Sequence, residues 1–86
     1  MTNSIEIYTW SSCPFCLRAK ALLKRKGWEF TEYVIDGDEE ARDRMAVKAN
    51  GRRSVPQVFI NGRHIGGCDD LHALEAQGQL DSLLSA

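Results

Sequence analysis

Cys13 and Cys16 stand three positions apart, with Pro14 and Phe15 between them, in the stretch SSCPFCLRAK at residues 11–20. Two thiols at that spacing can serve as a redox pair, as half of a metal site, or as inert buried side chains. Their place along the chain weighs these readings. The run before them, Ile5 to Thr9, alternates apolar and polar residues as a short strand does. Pro14 then occupies the first helical position, where proline is favoured, so Cys13 falls at the junction of strand and helix.

A sulfur at that N-cap accepts hydrogen bonds from the free N–H groups of the first turn, and the positive end of the helix dipole adds to the effect. Both favour thiolate over thiol and lower the pKa of Cys13, whereas Cys16, one turn inside, is expected to be buried and to remain a thiol. At pH 7 an ordinary thiol of pKa ~8.5 is about 3% ionised and one of pKa ~5 almost fully so, a gain of about 30-fold. A Brønsted slope of about 0.4–0.5 takes back roughly 25- to 55-fold in intrinsic nucleophilicity. For attack the two nearly cancel. What remains is a better leaving group when a second thiol resolves a mixed disulfide, so the position favours redox exchange.

The alternatives fare worse on spacing. Zinc needs further ligands, yet there is no second C-x-x-C, Cys68 stands alone, and seven residues separate His64 from His72 where three to five are usual. Cys68, after two glycines, reads as a small buried apolar residue, with oxidation or glutathionylation as its other use. Trp10 and Phe15 suit either packing or an apolar rim beside the cysteines. His64 and His72 read as solvent-facing or hairpin residues, and Arg18, Lys20, Lys24 and Arg25 as the solvated face of a helix.

The elements that must position Cys13 follow from periodicity. From Pro14 to Lys26, Phe15, Ala19 and Leu22 form one row, and Cys16, Ala19 and Leu23 a second row on the same helix face. Gly27 stops this helix, and WEFTEYVI at 28–35 predicts a second strand, so the three elements make a βαβ unit with a parallel pair. Asp36-Gly37-Asp38 turns into a second helix over roughly 39–49, ended by Asn50-Gly51. VPQVFINGRHI at 55–65 predicts a hairpin about a type I′ turn at Asn61-Gly62. Gly66-Gly67 breaks the chain, and Asp69 or Asp70 is expected to cap a last helix that ends near Gly78. The order β-α-β-α-β-β-α implies an α/β thioredoxin-like fold, a mixed four-stranded sheet flanked by helices.

The 86 residues suit one domain, 1–86. Eleven basic and twelve acidic side chains leave a net charge of −1, which speaks against nucleic acid or an anionic membrane as partner. No run approaches the roughly 20 apolar residues of a membrane span, and no secretion signal opens the chain. A cytoplasmic location is expected, where a C-x-x-C pair is catalytic or metal-binding more often than structural.

Cys13-Pro14-Phe15-Cys16, Ser54-Val55-Pro56 and Gly66-Gly67-Cys68-Asp69-Asp70, in that order and across essentially the whole length, make the chain resemble a short bacterial-type dithiol glutaredoxin. The resemblance implies a glutathione-dependent thiol–disulfide oxidoreductase that reduces protein disulfides and glutathione mixed disulfides. Cys13 would be the nucleophile, Cys16 the resolving thiol, and Cys13–Cys16 the redox disulfide. Pro56 would be a cis-proline facing Cys13, and the Val55 backbone would pair strand-like with the cysteinyl unit of glutathione. The turn at Gly67, Cys68 and Asp69 would hold the γ-glutamyl end, with Asp69 on its ammonium. Arg52, with Gln57, would meet the glycyl carboxylate at the other end, and Phe15 would line the site.

Two positions depart from the common pattern. Trp10 stands where many relatives carry a lysine, leaving Arg52, Arg53 or Lys20 to supply the cation, and Phe15 replaces the commoner tyrosine. The resemblance implies no metal and no tightly bound cofactor, glutathione being a co-substrate. The implied partners are glutathione, disulfide-containing or glutathionylated proteins and, through glutathione, the glutathione reductase system; the chain is expected to be a monomer. Direct reduction by thioredoxin reductase and iron–sulfur cluster carriage are the rival functions. The glutathione-holding segments speak against the first, and the paired cysteines with Pro14 against the second.

Overall fold

The computed structural model describes residues 3–84. Strand β1 (Ile5–Thr9) sends Ile5, Ile7 and Thr9 to one buried face, while Glu6 and Tyr8 on the other face are only half covered. Helix α1 (Pro14–Arg25) buries Cys16, Ala19, Leu22 and Leu23, the face expected from their spacing. It ends in a Schellman arrangement: Gly27, at φ +74°, donates to Lys24, and Trp28 donates to Leu23. Helix α2 (Glu39–Lys48) is capped by the Asp38 carboxylate, which accepts from the Ala41 amide at 3.0 Å.

The remaining strands are β2 (Thr31–Val34), β3 (Gln57–Ile60) and β4 (Arg63–Gly66), followed by helix α3 (Cys68–Ala76) and a 3₁₀ turn at Asp81–Leu83. The sheet order is β2-β1-β3-β4, with β1 parallel to β2 and antiparallel to β3, and β3 antiparallel to β4. This is the mixed sheet of a thioredoxin-like fold. Asn61 and Gly62 both have positive φ, +52° and +79°, as a type I′ hairpin turn requires.

Strand β3 lies between β1 and β4 and is buried along its whole length. Val58 and Ile60 join Ile5, Ile7, Leu22, Leu23 and Leu71 in the main core, which α1 and α3 cover. On the opposite face α2 contributes Ala41 and Met45 to a smaller cluster with Ile35, against which Tyr8, Trp10 and Val55 pack.

Two sequence expectations need correction. Strand β2 begins at Thr31, not at Trp28, because Trp28 and Phe30 turn onto the main core before the chain joins β1. Helix α3 begins with Gly67 as N-cap, two or three residues earlier than an Asp69 or Asp70 cap would place it. The carboxylate does cap, but from inside: Asp70, at the third helical position, accepts from the Gly67 amide at 2.9 Å. The 3₁₀ turn was not expected. It follows Leu80, which is fully buried in the main core, and Asp81 and Glu75 both pair with Lys26 at the end of α1.

Leu22 is packed between helix and sheet with 1% exposure. Leu22→Ala is therefore expected to cost about 2–5 kcal/mol, the usual loss for a leucine cavity in a close-packed core. Urea unfolding followed by circular dichroism measures it, with the midpoint falling at an unchanged slope.

Candidate active site

The strand register brings the separated motifs together. Tyr8 pairs with Gln57 across the antiparallel β1–β3 ladder, so the chain leaving β1 towards Cys13 runs beside the chain entering β3 through Pro56. Gly66 pairs with Val58 on the other side of β3, which sets Gly67 to Asp69 next in line. Three loops thus meet at one end of the sheet.

The first loop carries the cysteines. Ser11 grips the Asp36 carboxylate through its amide and its hydroxyl, each at 2.7 Å, and these bonds hold the Asp36 carboxyl below its usual pKa. The exit of β1 is thereby tied to the exit of β2. Cys13 follows in an extended conformation, φ −141° and ψ 101°, and its sulfur accepts from the Cys16 amide at 3.1 Å. This is the N-cap contact expected from Pro14. Cys13 and Cys16 form a disulfide, with Cα atoms 5.1 Å apart. Cys13 is 9% exposed and Cys16 1%, so the outer sulfur is the one a partner can approach. Phe15, by contrast, is half exposed, with the Arg18 guanidinium 5.9 Å from its ring centre.

The second loop enters β3. The Val55–Pro56 peptide is cis. Arg52 extends to Asp70, Nη1 donating to Oδ2 at 2.9 Å, and the Arg42 Nε donates to the Arg53 carbonyl at 2.9 Å. The third loop opens α3. Gly67 packs so close to Pro56 that a Cβ there would stand 3.3 Å from the Pro56 carbonyl oxygen. Between these loops runs a groove of about 230 Å³, lined by Phe15, Arg52, Ser54, Val55, Pro56, Gly67, Cys68, Asp69 and Asp70.

Of the residues expected at the site, Phe15, Arg52, Val55, Pro56, Gly67, Cys68 and Asp69 line this groove, and Cys13 and Cys16 are not in its lining. Gln57 is not in it either. It is fully buried, and its amide is engaged by Ser54 and His64 beneath the loop. Arg52 is also placed differently from the expectation: pairing with Asp70 draws its guanidinium to the α3 end of the groove, the end assigned to Asp69, not to the opposite one. The Arg52 hydrogen bond and the Gly67 amide hold the Asp70 carboxyl below its ordinary pKa. The Cys68 thiol is buried, and desolvation raises its pKa, which makes it a poor nucleophile beside Cys13.

The cation next to Trp10 was also missed. Lys20 pairs with Glu32, and Arg53 with Asp43 and Glu39; the guanidinium over the Trp10 ring, at 5.1 Å, is Arg42 of α2. Nothing in its local sequence distinguishes Arg42 from the other helix charges. The capping role of Asp70 had a signal, a helix-starting glycine with an acid three residues on. Among the described residues no group of three or more His, Cys, Asp or Glu is arranged to hold a metal ion, and no helix is long and apolar enough to cross a membrane.

Gly66 decides how β4 hands over to α3. Its φ is +123°, and a Cβ there would run into the Asp70 side chain. Gly66→Ala is expected to destabilise by about 1–3 kcal/mol through backbone strain and to displace Asp70 from the Gly67 amide. Thermal unfolding measures the first effect; faster hydrogen exchange of the Gly67 amide measures the second.

Comparison with known proteins agrees with this geometry. The family model described as Glutaredoxin matches residues 5–65. A probable glutaredoxin of Synechocystis sp. is 70% identical over 84 residues, covering 98% of this chain and 96% of its own. Glutaredoxin 3 of Escherichia coli K12 is 57% identical over 81 residues, covering 94% of this chain and 96% of its own. The crystal structure of a buckwheat glutaredoxin–glutathione complex superposes with a TM-score of 0.87 at 29% identity, over 95% of this chain and 76% of that one. A matched family model, near-full-length relatives and a shared fold lead to one conclusion: the chain belongs to the glutaredoxin family.

Proposed function

We propose that this glutathione-dependent thiol–disulfide oxidoreductase works through Cys13 as nucleophile and Cys16 as resolving thiol. The observation that carries the assignment is the cap: the Cys13 sulfur accepts the Cys16 amide at the mouth of α1, while Cys16 is sealed beneath it. A thiolate at Cys13 gains that hydrogen bond and the helix dipole; one at Cys16 would gain neither and lose its hydration.

With a glutathione mixed disulfide, the Cys13 thiolate attacks the glutathione sulfur. The substrate thiolate leaves and takes a proton, and Cys13 carries glutathione. A second glutathione thiolate attacks that glutathione sulfur, releasing glutathione disulfide and the Cys13 thiolate. With a protein disulfide, Cys13 attacks one sulfur and Cys16 then attacks Cys13, freeing the second substrate thiol and closing the Cys13–Cys16 disulfide. Two glutathione molecules reopen it, and the glutathione reductase system recycles them.

The groove offers recognition to match. The Val55 backbone is the edge for the cysteinyl unit, Pro56 and Phe15 are its apolar walls, and the α3 entry at Gly67, Cys68 and Asp69 takes the γ-glutamyl end. Arg52 keeps donors free beyond the one spent on Asp70 and serves a carboxylate. The substrate proteins carry disulfides or glutathione caps, and the enzyme acts as a monomer in the cytoplasm. The glutathione complex of the buckwheat relative, with the same fold, supports this reading.

Cys13→Ser is expected to abolish all exchange, since Cys16 is sealed and Cys68, the thiol that opens α3, is buried with a raised pKa. Cys16→Ser should keep reduction of glutathione mixed disulfides, which needs one protein thiol, and lose reduction of protein disulfides. Assays on both substrate classes check the pair of roles, and equal inactivity of the two variants on glutathione mixed disulfides would overturn them.

Asp69→Asn and Arg52→Gln should each raise the KM for a glutathione mixed disulfide about 2- to 10-fold, the worth of one exposed charge-assisted contact. Added salt should narrow that difference, and a small disulfide without charged ends should react as before. Equal losses on both substrates would assign these residues to the fold instead.

A further inference from the structure

Gln57, fully buried, and His64, half-buried, form a polar pair to which the exchange chemistry gives no part. Gln57 follows Pro56 at the start of β3. Its Nε2 donates to the Ser54 carbonyl at 3.0 Å and stands 3.4 Å from the Ser54 hydroxyl, while its Oε1 meets His64 Nε2 at 2.7 Å. An amide oxygen only accepts, so His64 carries its proton on Nε2. In the neutral ring Nδ1 is then an acceptor, and Asn50 Nδ2 donates to it at 3.1 Å. Neutrality fits the surroundings: burial and the positive Arg52 hold the His64 pKa below its usual value, against a smaller opposite pull from Asp70, and the Phe59 ring lies 5.2 Å away. The chain of donors runs from Asn50, past the end of α2, through β4 and β3, and ends on Ser54.

The segment it reaches runs from Arg52 to Ser54. Arg52, Arg53 and Ser54 are exposed and belong to no helix or strand. Arg52 is held by its amide on the Ala49 carbonyl and by its side chain on Asp70, Arg53 by Arg42 on its carbonyl and by Glu39 and Asp43 on its guanidinium, and the Ser54 carbonyl by Gln57. The last anchor lies directly before Val55, whose backbone is the edge offered to the ligand. A buried carboxamide with both ends satisfied is a stiff support, because rotating it would strand a donor and an acceptor away from water.

We propose that Gln57 and His64 are positioning residues for glutathione recognition, fixing the Ser54 carbonyl and so the direction in which Val55 presents its backbone. This rests on the reading of the groove as the glutathione site. The nucleophile lies on another loop, so the relay governs substrate affinity and leaves the reactivity of Cys13 alone.

The test uses one peptide disulfide capped either with glutathione or with cysteamine, and two variants, His64→Phe and Gln57→Met. Wild type should prefer the glutathione-capped peptide. Each variant should raise the KM for that peptide about 2- to 10-fold, the range of one neutral hydrogen bond. The KM for the cysteamine-capped peptide, kcat, and the rate of Cys13 alkylation by iodoacetamide should stay within two-fold. A wild type without preference would overturn the groove reading, and this proposal with it. A preferring wild type whose folded variants keep their KM, or slow alkylation in step with it, would overturn the relay alone. If one variant does not fold, the other decides; failure of both would make the pair a requirement of the fold and overturn its role in recognition.

Discussion

The structure depends on where β1 stops and α1 starts. Four residues separate Thr9 from Pro14, and the last of them, Cys13, must be extended so that its side chain folds back over the first helical turn. Serine or aspartate at such a cap gives an ordinary oxygen acceptor. Sulfur gives a weaker one when protonated and a much stronger one when ionised, so the helix start discriminates between the two charge states of the residue that caps it. The fold's other features can be read as ways of keeping that junction still: Asp36 holding Ser11 from one side, and the main core holding α1 through Ala19, Leu22 and Leu23 from beneath.

Much of this was legible in residue types. Period-two alternation marked β1, a single apolar stripe marked α1, and Asn61-Gly62 marked the hairpin, because each is a local rule that the surrounding fold did not override. The strand expected over 28–35 failed for the opposite reason. Trp28 and Phe30 have strand-forming side chains, but the apolar area they bury on the core is worth more than two or three ladder bonds at an edge. Local propensity lost to packing.

The site was legible in its residues and less so in their pairings. Phe15, Val55, Pro56 and the Gly67 to Asp69 turn, expected together from their motifs, line one groove. Arg52 with Asp70 and Arg42 with Trp10 are pairings between distant segments, and Gln57 with His64 is a pairing across the β3–β4 hairpin, so tertiary packing and strand register bring them within reach. A guanidinium or an amide in a sequence states what it can bond to; it does not state which of several partners will be closest. That is why Gln57, expected at the ligand, instead lies under the loop that would face it.

Register is thus the link between fold and function here. β3 is the strand that joins the loops: it pairs with β1 and β4, is buried along its length, and is entered through Pro56. In a ladder of period two, slipping β3 by one residue against β1 would turn Val58 and Ile60 away from the main core. It would also shift Pro56 along the exit of β1 and carry Gly67, through the β3–β4 pairing, away from the groove. The apolar cost of that slip, set by two fully buried side chains, falls on the core and not on the groove. An exposed site of loops and charged side chains, with little buried area of its own, therefore takes its geometry from a strand register that the core enforces.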